Sequence, residues 1–488
     1  MKKIAKFLIV LGMIGQLSSC DYLDIVPDER AQESDTWKTE GAVRGYLYSC
    51  YGYLPANRTF GNSYWLAEEL TAVTKELFTT FKYGYYSPVS LGFTSNTWST
   101  IWNGIHQCYM FQESLKQVSN EYVTDEMKKQ YLAESNFLIA YYHFLSMRSY
   151  GPTMIIRSVI DLETPISGFP ERSSIDEVVA FINEKLDEAM SEGGLPTTWS
   201  GKDYGRATRL AALALKSRVY LYAASPLYNG NTEMYADFRS PLDGRQLIAQ
   251  EKSQAKWEIS ATQTKYAIDE VEKAKFHLYH DADAGEPSDA KPGLPNKAQR
   301  RLRYTNIDNQ TGNNPEIIWA DTRNDDYYGI QRRCPPRQTL GGKFAGISMT
   351  NCPTLQTIEA FYTKNGLPIN KDKTFDYDER YEYISAPENC DGNNYEDLVK
   401  YANFTPSSDK VMRLCTDREP RFYAWTTYHN GYFEFGKYNN EEISADPAKR
   451  AIRIHLLRDD PHGRGNRTDQ EYSISGFGNK KGVVPSAE

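Results

Sequence analysis

Two short stretches of this chain combine flat rings with hydrogen-bonding side chains, the mixture that holds a sugar by its apolar faces and its hydroxyls. One is Tyr83, Tyr85 and Tyr86, with Asn96 a little further on. The other is Arg323, Asn324, Asp325, Asp326, Tyr327 and Tyr328. Both read as loops, where side chains are placed to meet a ligand. For any one of these tyrosines the competing role is packing, since tyrosine buries its ring while its hydroxyl stays wet. Catalytic constellations are missing: the sequence has no G-x-S-x-G, no H-E-x-x-H and no phosphate-cradling glycine loop with its lysine. Asp325 and Asp326 resemble a glycosidase pair only superficially, because adjacent acids point apart. His277, His280, Asp281 and Asp283 offer metal-binding atoms, yet two histidines three apart at a helix end are ordinary surface groups. No CxxC or paired-ligand spacing occurs, so the sequence calls for no catalytic residue, no metal and no cofactor.

Cys20 carries a different chemistry. Lys2, Lys3 and Lys6 flank an apolar run reaching to Leu17, and Leu17-Ser18-Ser19-Cys20 closes it. That run is too short for a lasting bilayer span, and the small residues suit a cleavage site. The last four residues resemble a bacterial lipobox, whose cysteine is lipidated and becomes the mature N-terminus. Residues 1–19 are thus expected to be a lipoprotein signal peptide and Cys20 the lipidation site, with each buried methylene adding about 0.8 kcal/mol to the anchor. Residues 20–40 read as a polar tether containing Asp21, Asp24, Asp28 and Glu29, with Pro27 breaking any helix.

The formal net charge is −8, and losing Lys2, Lys3 and Lys6 with the signal makes it −11. An acidic body argues against a nucleic-acid groove or an anionic lipid surface as partner. No second apolar run approaches membrane-spanning length, so the lipid is the expected membrane attachment. Tyrosines number 36 against 20 phenylalanines, an excess in the ring that suits half-wet positions. Six cysteines follow Cys20 (Cys50, Cys108, Cys334, Cys352, Cys390 and Cys415), a number that permits disulfides in an exported chain.

Helical periodicity organises the first part of the body. Helices are expected over about 41–54, 98–118, 125–150, 175–192, 207–224 and 257–275. Over 125–150, Leu132, Phe137, Ala140, Tyr141, Phe144 and Leu145 trace one apolar face, and Gly151-Pro152 stops it. Ser174-Ile175-Asp176-Glu177 reads as a capping box. In the 207–224 helix Leu210, Leu213, Ala214, Ser217 and Leu221 are expected to face inward. After His280 the character changes to Pro/Gly/Asp-rich loops with short strand-like pieces such as Glu316-Ile317-Ile318-Trp319. The fold expected is mainly α: a tetratricopeptide-like scaffold of helical pairs to about residue 280, then an irregular loop-rich portion with short strands over 281–488. The two parts read as one composite domain, 41–488.

Several blocks, in order, resemble the SusD/RagB family of outer-membrane nutrient-binding lipoproteins of Bacteroidetes. They are Cys20 with Asp21-Tyr22-Leu23-Asp24-Ile25-Val26-Pro27, Ala133-Glu134 through Gly151-Pro152, and Arg206-Ala207 through Tyr222. Trp257 to Tyr279, Asn314-Pro315-Glu316-Ile317-Ile318-Trp319 and Asp417-Arg418-Glu419-Pro420-Arg421 follow. Ile139 stands where the family pattern has Arg, and Glu419 interrupts its acid-Pro-Arg block. Tyr472 to Gly482 resembles the strand after which the family pattern runs into a further helix, so a C-terminal helix is expected to be missing before Glu488.

The resemblance implies a SusD-like, non-catalytic protein held at the cell outer membrane by its lipid. It would bind oligosaccharide at the cell surface and deliver it to a SusC-like TonB-dependent transporter. The alternatives are a peptide binder of the same fold and, from another class, an exported glycoside hydrolase. The ligand-binding residues expected are the ring-bearing loops named first.

Overall fold

The computed structural model describes residues 37–55, 68–71, 87, 94–161, 163–280, 297–308, 314–323, 330–336, 349–385, 410–434, 437–438, 441–442, 451–460, 462–464 and 472–483. The signal, Cys20 and most of the tether lie outside these residues. So do Tyr83, Tyr85, Tyr86, Asn324, Asp326, Tyr327 and Tyr328.

Six long helices build the scaffold: α1 Glu40–Tyr51, α2 Thr94–Leu115, α3 Asp125–Tyr150, α4 Ile175–Ala189, α5 Arg209–Ala224 and α6 Gln254–Lys273. Each packs against the next in sequence, as stacked helical pairs do. Local chemistry fixes their ends. Thr39, Thr124 and Thr208 cap α1, α3 and α5 through their hydroxyls. Ser174 and Glu177 form the expected capping box on α4, the Ser174 N–H donating to the Glu177 carboxylate at 2.7 Å. Gly151 ends α3 at φ +71°.

α3 is the central helix rather than one with a single apolar face. Tyr131, Phe137, Leu138, Ile139, Tyr142, His143, Phe144 and Met147 are all buried, on every side of it. Neighbours supply Leu47, Ile105, Phe111, Ile182, Leu186, Leu215 and Val219 to the same core. Gly104 of α2 admits the Tyr142 ring, which a Cβ there would meet at 2.7 Å. The tyrosine excess has a core function at several positions: Tyr142, Tyr109 and Tyr228 bury their rings and donate their hydroxyls to the carbonyls of Cys50, Ile156 and Met147.

Some expectations give way. Leu221 of α5 is half exposed (50%), because the helix buries Ala211, Leu215, Val219 and Ala223 in the main core and Leu210 and Leu213 against α6. Residues 316–319 form turns, not a strand: Asn314 Oδ1 accepts from the Glu316 N–H at 3.1 Å, bending the backbone locally. Within 472–483 only Gly478–Asn479 is a strand, paired with Thr426–Thr427. Cys50, Cys108 and Cys352 are buried free thiols, Cys334 and Cys415 are buried as well, and Cys390 lies outside the described residues.

The loop-rich portion has its own core, with Ile358, Ile369, Val411, Leu414, Phe422, Tyr428 and Phe477. Arg418 ties it together, donating to the carbonyls of Leu414 at 2.6 Å, Ile358 at 2.8 Å and Phe361 at 2.6 Å. Burial pulls its guanidinium down to about 10. Among the described residues no helix is long and apolar enough to cross a membrane.

Candidate functional site

A buried ion pair fixes the ground beneath the site. Arg206, just before α5, donates to Glu134 of α3 from Nη2 at 2.5 Å and Nε at 3.2 Å, and to Asp203 from Nη1 at 2.7 Å. Its guanidinium lies 4.0 Å over the Trp199 ring. Tyr51 of α1 donates to Glu134 at 2.7 Å and accepts the Ala207 N–H at 2.9 Å. Three elements therefore meet on one carboxylate. Burial pushes Glu134 up, with Arg206 pulling the other way. Burial also works against the Arg206 cation, but Glu134 and Asp203 outweigh it and raise its pKa.

Beside this pair opens a cavity of about 520 Å³. Its aromatic lining is Tyr48, Tyr51, Tyr141, Tyr204 and Trp319, and its polar lining includes Lys202, Arg206, Asp321 and Arg323. Burial raises the pKa of Tyr48, Tyr141 and Tyr204, so each presents a neutral hydroxyl. Trp319 is held edge-on by Phe137 and Tyr141, at centroid distances of 5.1 and 5.3 Å, and donates its indole N–H to the Gly205 carbonyl at 2.8 Å. Gly205 is required there. Its φ is +97°, and a Cβ would meet Thr322 Cγ2 at 2.8 Å.

The loop that continues from Trp319 is clamped to the turn after α1. Arg323 pairs with Asp321 through Nε at 2.8 Å and Nη2 at 2.5 Å, and reaches the Leu54 and Pro55 carbonyls at 3.0 and 3.1 Å. Burial would raise the Asp321 carboxyl, but Arg323 outweighs it and holds the pKa below the usual value.

Of the residues expected to bind ligand, Arg323 lines this cavity and its donors hold the wall. Asn96 falls in the first turn of α2, with its side chain outside the described residues. Tyr83, Tyr85, Tyr86, Asn324, Asp326, Tyr327 and Tyr328 lie outside them altogether. The sequence reading missed Tyr48, Tyr141, Lys202, Tyr204 and Asp321, and it did not single out Trp319, which packs against the main core and lines the cavity as well. Only Trp319 and Arg323, four residues apart, offered a local signal.

Comparison with known proteins bears directly on this arrangement. A family model described as "Starch-binding associating with outer membrane" matches residues 21–221, and the model of the SusD family matches residues 315–485. The chain belongs to the SusD/RagB family. Among solved structures, BT4246 is similar at a TM-score of 0.74 and 27% identity, covering 92% of this chain and 73% of that one. A SusD-like protein of Bacteroides fragilis, BF3747, gives 0.61 and 18%, covering 94% and 71%. BF0978 of the same organism, a SusD-like carbohydrate binding protein, gives 0.54 and 15%, covering 91% and 68%. The latter two show the fold alone. No curated protein matches. In this SusD-family chain the cavity is lined from both matched stretches: Tyr141 and Arg206 come from the first, Trp319, Asp321 and Arg323 from the second.

Proposed function

We propose that this protein is a non-catalytic, lipid-anchored glycan receptor of the outer membrane that binds oligosaccharide in the cavity beside Arg206 and passes it to a TonB-dependent transporter. The lining of that cavity carries the reading. Rings suited to the apolar faces of a sugar stand beside neutral tyrosine hydroxyls, a lysine and a clamped carboxylate. The starch-binding description of the family supports the ligand class. Non-catalytic binding is supported by the state of Asp321, whose two carboxylate oxygens both accept from Arg323 and are not left to act as an acid or base. Arg323 is followed directly by Asn324, Asp326, Tyr327 and Tyr328, which stay in the proposed site on sequence grounds, as do Tyr83, Tyr85, Tyr86 and Asn96.

Affinity electrophoresis against a polysaccharide panel, with a parallel assay for new reducing ends, tests the reading. Retardation without reducing ends is expected. Trp319→Ala and Tyr204→Ala should each weaken the identified ligand by on the order of 1–3 kcal/mol, measured alongside the melting temperature so that unfolding is not mistaken for lost contact. Unchanged affinity in both would remove the cavity as the site. Cys20→Ala should release the protein from the membrane fraction, and its retention there without the transporter would refute the anchor.

A further inference from the structure

In the loop-rich portion the Tyr432–Glu434 and Ala451–Arg453 strands pair antiparallel, Arg453 opposite Tyr432. The pairing runs on past their ends, with the Asn430 N–H donating to Ile454 O at 2.7 Å and the Ile454 N–H to Gly431 O at 2.8 Å. His429, just before one strand, and His455, just after the other, are thereby brought to a ring-centroid distance of 5.7 Å. The chain then doubles back. His462 accepts the His455 N–H on Nδ1 at 2.9 Å and returns its own N–H to His455 O at 3.2 Å. This fold-back lodges Asp460 with Oδ2 3.8 Å from His429 Nδ1. His429, Asp460 and His455 are only 7%, 3% and 1% exposed.

The donor atoms of this cluster converge. Asp460 accepts the Leu457 N–H at 3.2 Å, and its Oδ2 is turned towards His429. His429 Nδ1 accepts the Leu456 N–H at 3.0 Å and so presents a lone pair on that side. Two electron-rich atoms thus face each other across 3.8 Å.

We propose that His429, His455 and Asp460 form a binding site for a divalent first-row transition ion, with zinc the expected occupant. One ligand atom from each residue lies within 4.8 Å of the others. Ligands at about 2.0–2.2 Å from a tetrahedral ion stand roughly 3.3–3.5 Å apart, so the His429–Asp460 gap nearly fits already and the third atom closes by at most about 1.5 Å. Two imidazoles and one carboxylate select zinc-like ions over calcium or magnesium, which take oxygen. The Leu456 N–H bond to His429 is what the ion replaces. His462 acts as a positioning residue, its Nδ1 already committed to the His455 amide. A bound ion would fasten the ends of the strand pair to the 457–460 turn, independently of the glycan cavity.

The full-length chain, stripped with chelator and titrated with Zn2+ by calorimetry, tests the proposal. One ion per chain is expected, with a raised melting temperature, because an ion that binds only the folded state stabilises it. His455→Gln and Asp460→Asn should each weaken the affinity at least tenfold. His277→Gln with His280→Gln, removing the surface pair whose rings stack at 5.2 Å, should leave it unchanged. Co2+ loaded into the unaltered chain should give the visible d–d absorption of a nitrogen- and oxygen-bound ion, a readout that stands even if a variant fails to fold. No Zn2+ uptake by the unaltered chain overturns the proposal. So does uptake lost only in the His277/His280 variant, and so does Co2+ absorption typical of a water-bound ion.

Discussion

His143 shows how far burial governs a single residue. It lies in the middle of α3, donating Nδ1–H to Ile139 O at 2.7 Å and accepting the Ile156 N–H on Nε2 at 3.3 Å. Both ring nitrogens are used by the neutral form, and burial drives the pKa down to about 4 from 6.5. The unfolded chain therefore binds a proton that the folded chain refuses between those values. Stability is full above pH 6.5 and falls as the pH drops towards 4, by roughly 3 kcal/mol from this residue. Urea unfolding at pH 7 and pH 4 should show that loss in the native protein, and His143→Gln should lack it. The Glu134–Arg206 pair obeys a related rule. Glu134→Leu strands a buried guanidinium and should cost about 3–5 kcal/mol, whereas Glu134→Leu with Arg206→Met should cost clearly less. A double variant as unstable as the single would mean that Tyr51 and Asp203, not the pair, carry the contact.

At the scale of elements, stops and caps were the legible features. The capping box at Ser174, the Gly151-Pro152 stop and the helices around them follow from residues adjacent in sequence. The phase of α5 did not, because two neighbours compete for its faces and leave Leu221 outside. The turn at 316–319 was hidden by an apolar run that resembles a strand, while the Asn314 side chain takes the amide a ladder would need. The cavity was the least legible part, since Tyr48, Tyr141, Tyr204 and Trp319 come from four separate segments with no shared spacing. The same holds for His429 and Asp460, which meet only because two strands pair and the chain then folds back at His455 and His462. Gly205 gives the element-level test. Gly205→Ala forces a Cβ against Thr322 in a left-handed conformation, and should lower stability by about 1–3 kcal/mol and weaken ligand binding. Adding Thr322→Ala should restore part of the loss by relieving the clash and leaving the backbone strain. Equal melting temperatures for Gly205→Ala and the native protein would show that the wall can shift freely.

Taken as a whole, the molecule places cysteines inside both of its described cores. Cys50 and Cys108 lie in the helical core, and Cys415 lies in the core around Phe422. Burial raises the Cys108 thiol well above its ordinary pKa, making it a poor nucleophile in the folded state. Labelling of Cys50 and Cys108 with a thiol reagent should be slow in buffer and should rise with urea along the unfolding curve. Rapid labelling of Cys50 or Cys108 in native protein would contradict the packing. The Arg323 clamp has a consequence of another kind. The stretch of wall that carries Asp321 and Arg323 is pinned to the Leu54 and Pro55 carbonyls before any ligand arrives. A ligand entering finds its surroundings already ordered, so little conformational freedom is lost on docking. Its calorimetric signature should be favourable enthalpy with a small entropic penalty. Arg323→Ala should convert that into a larger entropic penalty at similar contact enthalpy, the mark of a site that must be assembled around each guest.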